Sequence, residues 1–170
     1  MGTFTTAPAA GAKLRASTLS ALVGEARPKY VRKTADETVN NSAVLQADDQ
    51  LTLAVAASTT YRFLLRLIVN TNATADFKML FTFPSGTGMS WDIFVGSNPD
   101  TAAAGLQGPF TDVTTAAVSG VAADQTLHIV GFIITSTTAG NMGLTWAQNT
   151  ANVSNTTVKT NSYWEIWQVL

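Results

Sequence analysis

The single histidine, His128, lies inside the apolar run LHIVGFII. A Ser-His-Asp relay or a multi-histidine metal site therefore has at most one component in this chain, and His128 reads as a core or interface residue. The acids offer little more. Asp36/Glu37 and Asp48/Asp49 are neighbours in sequence. In a strand their side chains point to opposite sides, unlike the converging carboxylates of a glycosidase, so they read as turn or cap residues. No aspartate spacing approaches a calcium loop. The absence of cysteine removes thiolate nucleophiles and thiolate metal ligands, and it fits folding in a reducing cytoplasm. Trp91 in SWDIF and Trp146 in TWAQNT have Asp, Gln and Asn neighbours and could hold a sugar by stacking plus hydrogen bonds, although a core position is the simpler assignment for both. No catalytic set, metal site or cofactor site assembles from these residues, and the expectation is a protein that is not an enzyme.

The elements that would have to position such groups are strands. QLTLAVA (50 to 56) puts Leu51, Leu53 and Val55 on one face, and DFKMLFTF (76 to 83) does the same with Phe77, Met79, Phe81 and Phe83. TYRFLLRLIV, MSWDIFV, TLHIVGFIIT, MGLTWAQ and SYWEIWQVL are strand-like as well, separated by turn clusters such as NTNATAD, PSGTG, GSNPDTAAAG and TTAGN. Many short strands without helical periodicity between them predict an all-β fold, an antiparallel β-sandwich or jelly roll of about eight strands.

Three of these segments, 61 to 69, 127 to 134 and 163 to 170, are apolar on both faces. One face of an antiparallel sheet normally meets water and is polar, so a second apolar face points to an oligomer interface. The terminal strand carries Tyr163 and Trp167 on one face and Trp164 and Ile166 on the other, and these four are the candidate interface residues. A closed homotrimer would cover the surplus apolar surface.

The front of the chain differs. Residues 1 to 12 are small and punctuated by Pro and Gly, and KLRASTLSALV (13 to 23) reads as one short helix stopped by Gly24 and Pro28. Such a helix is marginal alone and needs a surface to lie on. Residues 1 to 33 hold Lys13, Arg15, Arg27, Lys29, Arg32 and Lys33 against Glu25 alone, +5, whereas the rest of the chain is -6, for the overall -1. The chain thus divides into a basic N-terminal arm, 1 to 33, and a β-sandwich body, 34 to 170. The arm seeks an acidic partner, with Leu14, Leu19 and Leu22 as apolar anchors and the six cations as steering groups. Its aromatics, Phe4 and Tyr30, do not interleave with arginines as nucleic-acid stacking requires, so no nucleic-acid partner is expected.

At 170 residues the chain can bury a substantial core, and charged residues make up only 12%, about half the usual share. The N-terminus lacks the apolar run of a secretory signal, so the mature chain is expected to start near residue 1. The most apolar run, YRFLLRLIVN, is too short for a bilayer and carries Arg62 and Arg66, so no membrane partner is expected. The N-x-S/T triplets at Asn72, Asn152 and Asn155 read as turn chemistry.

GAKLRASTLSAL, PKYVRKTADETVNNS, LTLAVAASTTY, TADFKMLFTFPSG, MSW and LTWAQNTANVSNTTV, spanning Gly11 to about Val158, together resemble a family of small structural proteins of tailed phages and prophages of actinobacteria. Its most specific stretches are RKTADETVNN and LTWAQNT. The resemblance implies a virion component on the particle exterior, assembled in the host cytoplasm: a jelly roll attached through its arm to the phage major capsid protein. It supplies no catalytic residues, and the loops between 95 and 125 lie outside it. Two roles follow, a capsid decoration (cement) protein, or a tail-fibre or tail-tip appendage whose outer loops recognise a host glycan, with Trp91 or Trp146 and the 96 to 112 loop as candidates.

Overall fold

The computed structural model describes residues 27–96, 105–112 and 114–169. They form twelve strands: β1 Lys29–Arg32, β2 Glu37–Val39, β3 Gln46–Val55, β4 Thr60–Thr71, β5 Phe77–Thr82, β6 Gly88–Gly96, β7 Gly105–Thr111, β8 Ala116–Val118, β9 Ala123–Ile134, β10 Gly140–Gln148, β11 Thr156–Val158 and β12 Tyr163–Val169. No helix occurs among the described residues. The helix expected at 13 to 23 lies outside them.

All pairings are antiparallel. The larger sheet runs β1-β12-β4-β9-β6-β7, with β11 bridging β4 and β2; the smaller runs β3-β10-β5-β8. From β1 the chain passes to β3, returns to β4, crosses to β5, and later returns to β9, crosses to β10 and ends on β12. Four strands of each sheet, β1-β12-β4-β9 and β3-β10-β5-β8, thus have the winding of a jelly roll. The remaining strands widen the larger sheet: β6 and β7 extend it beyond β9, and β2 with β11 add a short flap at one end of β4.

The two sheets share one core. Alternation decides which residues enter it. Along β4 every second residue from Tyr61 to Val69 is buried, and β9 and β6 match it through Leu127, Ile129, Ile133, Met89, Trp91, Ile93 and Val95. The smaller sheet answers with Leu51, Leu53, Val55, Phe77, Met79, Phe81, Met142, Leu144 and Trp146. Phe81 is the hub: its ring stands edge-on to Phe63 at 5.8 Å and to Trp91 at 5.1 Å, and lies 5.4 Å from Trp164. Edge-to-face pairs of this kind add about 0.5–1.5 kcal/mol each beyond area burial. Gly131 lets these rings close up. A Cβ there would sit 2.1 Å from the Ser90 carbonyl oxygen and 2.9 Å from the Phe63 ring.

The expected strands at 50 to 56, 60 to 69, 76 to 83, 89 to 95, 126 to 135, 142 to 148 and 162 to 170 correspond to β3, β4, β5, β6, β9, β10 and β12. The other five strands are additions. Strands β2, β8 and β11 have three residues each, too few to show a period. Strand β7, GLQGPFT, contains Gly and Pro and reads as a loop. Strand β1, KYVR, lies in the segment assigned to the arm, yet it pairs with β12 from Lys29↔Ile166 to Arg32↔Tyr163. Residues 29 to 32 are therefore built into the sheet.

Candidate functional site

The inner faces of both sheets are consumed by the core, so the outer face of the larger sheet carries the unusual chemistry. Register fixes its rows. Tyr163, Arg66, His128, Phe94 and Leu106 form one row across β12, β4, β9, β6 and β7. Glu165, Leu64, Val130 and Asp92 form the next, then Trp167, Arg62, Phe132 and Ser90, then Val169, Thr60, Ile134 and Gly88. Phe132 is 53% exposed, Ile134 58%, Phe94 47% and Leu106 65%. Leu64, Val130, Tyr163 and Trp167 fill the face between them, half-buried.

Five strands about 4.8 Å apart and four rows about 6.8 Å apart make a face of about 500 Å² in projection, before side-chain relief is counted. The largest apolar patch on a typical monomer covers about 300–600 Å² and is often functional, and this partly apolar face is of that order. Charges punctuate the patch without filling it. The Arg62 guanidinium lies 4.7 Å from the Trp167 ring centroid, an arrangement that lets a cation sit within an apolar surface. Arg66, Glu165 and Asp92 complete the mixed-sign set, so the face is close to neutral.

This geometry divides the candidate interface residues. Tyr163 and Trp167 stand on the outer face, whereas Trp164 and Ile166 are buried in the chain's own core. Alternation alone could not say which face of β12 was which. His128 is exposed on the outer face, so the core alternative for it is wrong. The sugar-contact candidates are corrected as well. Trp91 is sandwiched against Phe81 and Phe110, the latter at 4.6 Å, and Trp146 packs on Phe77 at 5.9 Å; both indoles are fully buried and present no face to a glycan.

Of the docking cations, Lys13 and Arg15, with Leu14, Leu19 and Leu22, lie outside the described residues. Arg27 is exposed. Lys29 is exposed and donates to the Ala54 carbonyl at 3.1 Å, and Arg32 donates to the Asn161 side chain at 2.6 Å. Lys33 does not belong with them. In β1 and its extension Lys29, Val31 and Lys33 share one side, and Lys33 turns into the interior, where it pairs with Asp48 and Glu37. A buried ammonium requires such partners, and Asp48, which reads in sequence as a turn residue, supplies one. Exposed residues that the sequence reading missed are Phe94, Leu106, Phe132 and Ile134. The two-faced hydrophobicity of 127 to 134 was the available signal for the last two.

No family model and no curated protein matches the chain. Among solved structures it is similar to that of the infectious bursal disease virus Gx strain, with 12% identity over 82% of this chain and a TM-score of 0.20. The infectious bursal disease virus VP2 subviral particle gives 11% identity and a TM-score of 0.20, also over 82% of this chain. The chain spans about 40% of the length of each.

Proposed function

We propose that this chain is a non-enzymatic structural protein that assembles through the outer face of its larger sheet, pairing there with further copies of itself. The observation that carries the reading is the contiguous exposed surface of Phe94, Leu106, Phe132 and Ile134, continued by Tyr163 and Trp167. A standard interface needs about 800 Å² from each partner, and this face approaches that once side-chain relief is included. Its near-neutral, mixed charges favour a like surface over a strongly acidic or basic partner. In a closed homotrimer one part of the face would meet a different part of the same face on the next copy around the threefold axis, which covers it and leaves no open edge for further growth.

Within that class we infer a virion component, a capsid decoration protein on the particle exterior. Support comes from the sequence resemblance to actinobacterial phage structural proteins, together with the basic arm ahead of β1. Leu14, Leu19 and Leu22 would anchor the arm on the major capsid protein, and Lys13, Arg15, Arg27, Lys29 and Arg32 would steer it. Several arms per oligomer bind strongly through effective concentration even when each is weak. Burial of Trp91 and Trp146 weighs against a glycan-binding tail appendage.

Electron cryomicroscopy of purified particles with and without the protein tests this assignment. Extra density at capsid lattice points, in oligomeric clusters, is the expected result. Density confined to the tail would overturn the decoration role.

A further inference from the structure

Lys33 has no part in the assembly described above. Its side chain is 1% exposed, enclosed with Asp48 at 0% and Glu37 at 11%. The three come from different elements: Lys33 follows β1 at an edge of the larger sheet, Glu37 opens β2, and Asp48 lies on β3 at an edge of the smaller sheet. Lys33 Nζ donates to Asp48 Oδ2 at 2.8 Å and to Glu37 Oε2 at 2.7 Å. The other aspartate oxygen, Oδ1, accepts the backbone N–H groups of Gln50 at 3.0 Å and Leu51 at 2.8 Å. These donors exist because β3 bulges here, its register to β10 jumping from Ala47↔Thr145 to Thr52↔Gly143. Trp146 Nε1 donates to Oδ2 at 3.2 Å and helps seal the site. Glu37 is itself fixed, accepting from Gln46 Nε2 at 2.8 Å and from the Asp49 N–H at 3.1 Å.

An amine against one oxygen of a carboxyl, two backbone N–H groups on the other, and a second carboxylate on the amine are the parts an acyl transfer needs. They supply the nucleophile, the site for developing oxyanion charge and the proton carrier. We propose that Lys33 and Asp48 join through an isopeptide bond formed by the folded chain itself.

The step balances without an added reagent. Glu37 takes a proton from the Lys33 ammonium, and the freed lone pair on Nζ attacks Asp48 Cγ. Negative charge gathering on Oδ1 is met by the Gln50 and Leu51 N–H groups. Glu37 passes its proton to Oδ2, removes a second from the nitrogen and passes that on too. The Cγ–Oδ2 bond then breaks with its electron pair, and water leaves. Of the three ammonium hydrogens, one stays on the amide nitrogen and two depart in the water, while Glu37 ends as it began. Nothing is oxidised or reduced. In bulk water an ammonium and a carboxylate do not condense, but here the reactants are charges held away from solvent, whereas the product is a neutral amide.

The bond would tie the first strand of the larger sheet to the first strand of the smaller one. A pull on residues ahead of β1, such as a docked arm would exert, could peel β1 from β12 only as far as Lys33.

Intact-mass spectrometry of the full chain in denaturant tests the proposal. The expected mass is that of the sequence less one water, once removal of the initiator methionine is counted. Trypsin should not cleave after Lys33, which leaves one peptide, 33 to 62, lighter by one water, and further cleavage of it after Glu37 should leave its two parts still joined. Glu37→Gln keeps the size of the side chain but cannot carry the proton, and this variant should remain at full mass. A wild-type chain at full sequence mass, cleaved normally after Lys33, would overturn the proposal. So would loss of water with trypsin still cleaving after Lys33, or with the peptide falling apart on cleavage after Glu37, as a succinimide at Asp48 would give. Equal bond formation in Glu37→Gln would remove the role given to Glu37.

Discussion

Trp164 and Trp167 lie three residues apart on β12 and face opposite ways, so replacing each with alanine should produce different failures. Trp164 is fully buried, with its ring 6.3 Å from Phe63 and 5.4 Å from Phe81. A buried tryptophan removes about 150–250 Å² from water. At about 25 cal/mol per Å² that corresponds to about 4–6 kcal/mol as an upper estimate, and measured large-to-small changes of this kind cost about 3–5 kcal/mol. For a body of this size each kcal/mol moves the melting temperature by about 2–4 °C, so Trp164→Ala should lower Tm by about 10–15 °C. Trp167 is half-buried and holds Arg62 across its face. About half of the area that Trp164 buries, together with an exposed cation–π contact of about 0.5–1 kcal/mol, comes to about 2–3 kcal/mol, so Trp167→Ala should lower Tm by less, about 5–8 °C, and still fold. Its association should weaken as well. Calorimetry gives the first quantity and sedimentation velocity, at matched concentrations, the second. If Trp164→Ala dissociated without melting earlier, or Trp167→Ala unfolded, the assignment of the two faces would be wrong.

Deleting residues 1 to 27 ends the chain just before β1, so the remaining body should fold and associate yet fail to join particles; full occupancy of particles would refute arm docking. Gly131→Val forces a side chain against the Ser90 carbonyl and the Phe63 ring, and soluble yield and Tm should both fall steeply; a normal melt would show that the sheets can part there. The Asp36 carboxyl is held below the usual carboxylate range, chiefly by the Thr160 N–H donating at 2.7 Å and then by Lys159. A depressed folded value means that the ionised form stabilises the native state above the unfolded value and that this contribution is lost as pH falls through the folded one. Wild type should therefore lose slightly more Tm than Asp36→Asn between neutral pH and acid below the carboxylate range. Equal losses would show that the contact has no energetic weight.

The all-β class and seven strands were legible because a period of two survives in a run of six or more residues that Gly and Pro do not break up, as they do in β7. The run ending in Phe81 shows it, as does the one through Leu51, Leu53 and Val55. Three-residue strands show no period, which is why β2, β8 and β11 escaped. Strand β1 escaped because KYVR looks like a continuation of the basic arm; only its pairing with β12 draws it into the sheet. Hydrophobicity on both faces of β4, β9 and β12 disclosed that a second apolar surface existed. It could not assign Trp164 to one side and Trp167 to the other, because both faces of β12 are aromatic. Phe94 and Leu106 join the surface only through the register of β6 with β9 and β7. The Lys33–Asp48 pair was beyond reach for a similar reason: fifteen residues and a change of sheet separate the partners, and Lys33 in sequence is one more cation among six.

The central claim is association through the outer face of the larger sheet, and Phe132 stands within it, 53% exposed. Sedimentation velocity of the wild-type chain against Phe132→Asp, with Tm as the control for folding, tests that claim most directly. A wild-type oligomer that Phe132→Asp reduces to a folded monomer is the predicted result. A wild-type chain that sediments as a monomer at tens of micromolar, or a Phe132→Asp chain that stays oligomeric, would contradict it.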